Sequence, residues 1–187
     1  MNLRRVQGLA LMVSAVCLLL GLFGPQTIGI LGPQTTMFYV TTSVILFMLG
    51  IPAIHSAQPT GWIGLMGIVL LELAALIALA FRFNLVMPSA LGDSLSLTSA
   101  LAGMLGAVII GWLTTREHVF PAWVGWVFLA QGVLNFITGP FKFNSLAGVL
   151  VVFLPILQAA ALFAYGYYLF QQSVKPTIGS QSKAPLA

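Results

Sequence analysis

GWIGLMGIVLLELAALIALAFRF, residues 61–83, decides how the chain is read. It is long and apolar enough for a helix to cross the roughly 30 Å hydrocarbon core of a bilayer, and it carries a single carboxylate, Glu72, near its middle. The rest of the chain has the same character. Of 187 residues, 59% are hydrophobic and only 5% charged, with a mean hydropathy of +1.05. A soluble domain carries roughly 25% charged residues, so lipid is the solvent this composition suits. The expected fold is all-α, a polytopic transmembrane bundle.

Working outward from residues 61–83, five further apolar runs are separated by short polar or Gly-Pro breaks, giving six spans at about 6–23, 37–54, 61–81, 95–113, 120–138 and 146–170. Together they form one membrane domain over 1–170, and 171–187 is a polar, flexible cytoplasmic tail. The N-terminal run is too long for a signal peptide and lacks an Ala-x-Ala exit, so it reads as the first span. A break follows at Gly24-Pro25. Pro121 suits the first turn of the fifth span, and Pro155 within the long sixth span calls for a kink or a tilt.

Orientation follows from the basic residues. Arg4, Arg5, Arg116, Lys175 and Lys183 fall on one side of the six spans and Arg82 and Lys142 on the other, which places both termini in the cytoplasm. Trp62, Trp112, Trp123 and Trp126 sit at span ends on that same side, where an amphipathic ring prefers the headgroup level, and Tyr165, Tyr167 and Tyr168 are read in the same way.

Several function classes are excluded by what the residues can do. The net charge of +4 comes from seven scattered basic residues, so no run could track a nucleic-acid backbone. Cys17 is the sole cysteine, which rules out an intrachain disulfide. His55 and His118 are the only histidines and both fall in loops; haem held by two histidines needs them on facing helices, and zinc needs three or four ligands, so no cofactor or metal is expected. No nucleophile, base and orienter set, paired intramembrane aspartates or Gly-rich phosphate loop points to an enzyme, and no lysine falls inside a span to carry a Schiff base.

The chemistry that remains is polar residues at membrane depth. Glu72, Gln131 and Gln158 fall near the midpoints of their spans, and Asn135 shares a face with Gln131 at i, i+4. Arg82 lies ten residues beyond Glu72, about 15 Å along the axis, out of reach for neutralising it. Desolvation therefore favours a protonated Glu72. It is either a hydrogen-bond donor to Gln131 or Gln158 that ties helices together, or a group that exchanges protons or meets a solute in a narrow cavity. Span four adds a stripe of small residues, Ser99, Gly103, Ala107 and Gly111, at every fourth position; it serves either a dimerisation face or ordinary intramolecular packing.

The two loops on the cytoplasmic side share an order of residue types: His55, Pro59, Trp62 and Gly64 in one, His118, Pro121, Trp123 and Gly125 in the other. Either a duplicated two-helix unit or the common needs of a helix starting at the interface accounts for it. The stretch Arg116-Glu-His-Val-Phe-Pro121-Ala-Trp-Val-Gly-Trp126, after a span rich in small residues, resembles a pattern in small polytopic bacterial membrane proteins that share no agreed activity. Ala122 departs from it, since a basic residue is expected after the proline. The resemblance implies a bacterial plasma membrane and says nothing of chemistry. The expected function is thus an accessory or assembly protein, in contact with lipid and with further copies or a larger membrane complex; the alternative is a small transporter or channel using Glu72.

Overall fold

In hydrocarbon a backbone N–H or C=O finds no water, so an apolar run of this length satisfies its own polar groups by coiling into a helix. The computed structural model describes residues 3–28, 33–58, 61–83, 85, 90–138 and 147–172, and among them it contains helices and no strand. In chain order these are α1 (Leu3–Ile28), α2 (Pro33–Gly50), α3 (Pro52–Ala57), α4 (Gly61–Arg82), α5 (Ala90–Glu117), α6 (Ala122–Thr138) and α7 (Ala147–Gln172). Among the described residues, five stretches are long and apolar enough to cross a membrane: Leu3–Phe23, Gln34–Ala57, Gly61–Arg82, Gly92–Glu117 and Phe153–Gln172. The sixth expected span, α6, is a shorter apolar helix of 17 residues.

Element boundaries differ from the expected ones where local chemistry intervenes. The helix of the first span continues past Gly24-Pro25 to Ile28, because a proline near a helix end removes one backbone bond without forcing the chain to turn. The second span is broken at Ile51: Pro52 has no N–H to continue α2 and instead opens the short α3, where a first-turn proline is tolerated. His55 and Ser56 therefore lie in a helix, and the loop begins at Gln58. The polar turn expected at Thr114–His118 is helical as far as Glu117, and the chain reverses at His118, whose φ is +53°. Of the expected tail, Gln171 and Gln172 are the last residues of α7; residues 173–187 lie outside the described residues.

Six long helices form a ring in the order α2, α1, α7, α6, α5, α4, with α4 and α2 touching only lightly where it closes. Close approach depends on glycine pairs. A Cβ on Gly111 would stand 2.6 Å from the Gly125 carbonyl oxygen, and one on Gly8 would stand 2.8 Å from that of Gly166, so α5 packs backbone to backbone on α6 and α1 on α7. Gly106 meets Gly67 of α4 in the same way. Arg4 donates to the Ser56 carbonyl (2.7 Å) and Gln172 to that of Val119 (3.1 Å), so the N-terminus, α3, the α5–α6 turn and the end of α7 share one end of the ring. The four tryptophans, all exposed, ring that same end.

Candidate functional site

The end of the ring that holds α3 is packed shut. Leu11, Ile54, Ile110, Val124, Tyr165 and Leu169 are all fully or almost fully buried there. Tyr165, read from the sequence as an interfacial tyrosine, instead stands edge-on between Phe120 and Phe128, with ring centroids 5.0 and 5.7 Å away. Its hydroxyl can go so deep because Thr114 meets it at 2.8 Å, and the Thr114 oxygen accepts a second bond from Gln58 Nε2 at 2.9 Å. A chain of three polar side chains thus crosses the ring from the α3–α4 loop through α5 to α7. The helical wheel places Thr114 among apolar neighbours, but no sequence pattern identifies its partners.

Two turns from Tyr165, about 10 Å toward the opposite end, Gln158 borders a cavity of about 300 Å³. All six long helices line it, with Ser14 from α1, Ser43 from α2, Ala75 from α4, Gly103 from α5, Gln131 from α6 and Gln158 from α7. Among the described residues that line it, none is ionisable. A shallower space of about 430 Å³ between α4 and α5 shares Ala78, Ser99 and Ala100 with the cavity and extends to Arg82, at the end of the ring away from α3. The cavity is therefore bounded by packed side chains toward the α3 end and shares part of its wall with a groove toward the other.

Its polar groups differ in what they have left to offer. Ser14 Oγ donates to the Ser43 carbonyl (2.8 Å) and Ser43 Oγ to the Ser14 carbonyl (2.9 Å), so each hydroxyl proton is committed across the α1–α2 crossing. Ser99 Oγ donates to the Ala74 carbonyl at 3.1 Å, tying α5 to α4. Asn135, on the expected polar face of α6, lines the cavity and is exposed, with an interaction of its own. Gln131 is only 5% exposed and makes no hydrogen bond to any described residue; Gln158, half-buried, likewise makes none. Among the described lining residues these two amides are the ones with donors and acceptor both uncommitted.

Of the four residues expected to cluster, Gln131, Asn135 and Gln158 line one cavity and Glu72 does not. Leu71, Ala74 and Ala75 are the α4 residues that line the cavity at that level, and one residue of helix turns the side chain by 100°. Glu72 is thereby carried to the flank of α4 away from its α5 contact, on the side of the light α2 crossing. It is half-buried and makes no hydrogen bond or ion pair with any described residue, so neither glutamine serves as its acceptor. The small stripe faces inward: Ser99, Gly103 and Ala107 line the cavity, and Gly111 packs on Gly125. Among the described residues no three His, Cys, Asp or Glu side chains come together.

No protein-family model matches the chain, and neither a curated protein nor a solved structure similar to it was found.

Proposed function

We propose that the protein is a non-enzymatic integral membrane protein that holds a small solute at mid-membrane depth inside a ring of six spans. In this reading α6 is counted as a span, both termini face the cytoplasm of a bacterium, and the cavity communicates with the external side through the groove at Arg82. Gln131 carries the proposal. The residue is only 5% exposed and its amide makes no hydrogen bond to any described residue, and its position on a cavity wall offers its donors and acceptor to a molecule inside. The absence of any ionisable group among the described lining residues argues for binding or passage over acid–base chemistry.

Thiol labelling tests both the cavity and its side. With Cys17 replaced by alanine, Gln131→Cys is expected to react with a small, membrane-impermeant thiol reagent added outside the cell, and Ile110→Cys, in the packed end, is not. Failure of Gln131→Cys to react from either side sinks the solute reading.

Glu72 supports a second reading, an accessory or assembly role. A half-buried carboxyl beside a loosely closed helix crossing gains by finding a hydrogen-bond partner on another membrane chain or a second copy. Crosslinking in native membranes checks this: Glu72→Leu should erase crosslinked species that wild type forms, and an unchanged pattern discards the role.

A further inference from the structure

Resting on the cavity as a solute site, we infer that its ligand is an uncharged, mainly apolar molecule with one group that both donates and accepts a hydrogen bond, such as a hydroxyl or a carboxamide. Three observations converge. First, no ionisable side chain is found among the described lining residues, so an anion or a cation brought to this depth would lose its water and meet no counter-charge. A cation is opposed further by Arg82, which lines the adjoining groove.

Second, the hydrogen-bonding capacity of the wall is one-sided. The hydroxyl protons of Ser14, Ser43 and Ser99 are committed to carbonyls of neighbouring helices, so these three side chains have no donor left for a guest and can only accept. The lining side chains that make no hydrogen bond to any described residue and still hold both donors and an acceptor are the amides of Gln131 and Gln158, on adjacent helices α6 and α7. An amide presents both an acceptor oxygen and a donor NH₂, and a ligand group of dual character satisfies it best. Third, the volume of about 300 Å³ is that of about ten water molecules at ~30 Å³ each. It is at the small end for ligand pockets, which suits a single ring or a short chain with one polar group.

The test compares three probes of nearly equal size on the full chain in lipid nanodiscs, by saturation-transfer NMR with empty nanodiscs subtracted: benzyl alcohol, toluene and benzylammonium. Benzyl alcohol should bind, toluene should bind at least about fivefold more weakly for want of the hydroxyl, and benzylammonium should not bind. Gln131→Leu and Gln158→Leu should each weaken benzyl alcohol by about the same factor and leave toluene unaffected. Gly103→Leu, whose side chain grows into the cavity, should abolish binding of both. Toluene binding as tightly as benzyl alcohol, or benzylammonium binding, overturns the ligand class while leaving the cavity as a solute site. Binding that survives Gly103→Leu, or no binding by any probe, overturns both. The probe comparison is made on wild type, so it decides the question even if a glutamine variant fails to fold.

Discussion

Replacing Thr114 by valine removes the middle of the buried polar chain without changing the volume of the side chain. Two hydrogen bonds disappear together, to Gln58 at 2.9 Å and to Tyr165 at 2.8 Å. Both partners are buried, Gln58 2% exposed and Tyr165 0%. Each polar group that loses a buried bond costs about 1–3 kcal/mol, and interhelical bonds in membranes lie toward the lower part of that range. We therefore expect Thr114→Val to destabilise by about 2–4 kcal/mol. Tyr165→Phe keeps the ring between Phe120 and Phe128 and removes one bond, so about 1 kcal/mol is expected. Thr115, next in sequence, donates only to the Trp112 carbonyl of its own helix, and Thr115→Val should change stability by less than about 0.5 kcal/mol. Equilibrium unfolding in mixed micelles with increasing SDS, followed by tryptophan fluorescence, measures all three. If Thr114→Val is no more costly than Tyr165→Phe, the polar chain does not hold the packed end together.

Packing and turn geometry give two further contrasts in the same assay. Gly111→Ala drives a methyl into the Gly125 carbonyl and should cost about 2–3 kcal/mol, whereas Gly103→Ala meets only the Ala74 methyl at 3.5 Å and should be neutral or stabilise by about 0.5–1 kcal/mol; equal effects would refute backbone contact at the α5–α6 crossing. At His118 and Gly61, both of positive φ, His118→Gly should stabilise by a few tenths of a kcal/mol, while Gly61→Ala should destabilise by about 1 kcal/mol although nothing lies within 4 Å of the new methyl. The reverse order would show that these turns are not held in the left-handed region.

Apolar run length made the helices legible, because in lipid a backbone has few alternatives, and α4 and α7 fall within about two residues of where the sequence puts them. Pro155 inside α7 was legible for the same reason. Partnership between helices was not. The inward direction of Gln131 follows from the polar face of α6, but the reciprocal Ser14–Ser43 pair and the Gln58–Thr114–Tyr165 chain join residues 29 to 56 positions apart, and no local pattern specifies such pairs. Depth likewise placed Glu72 level with the glutamines but could not fix its rotation about α4. Polar residues at Thr114 and Thr115 suggested a turn because the bonds of Thr114 inside the bundle and of Thr115 to its own helix cannot be seen from composition.

The contact of α1 with α7 also sets a timetable for making the protein. Gly8 and Gly166 are about 160 residues apart. At roughly 5–20 residues per second, a nascent first helix waits on the order of 10–30 s in the bilayer before the surface that covers it has been synthesised. During that interval α2 is the neighbour already made, and the serine pair at the α1–α2 crossing is available to hold it. The ring is thus completed only when the last helix returns to the first, and a chain stopped short of α7 presents to quality control an α1 whose closest-packed face has nothing to meet.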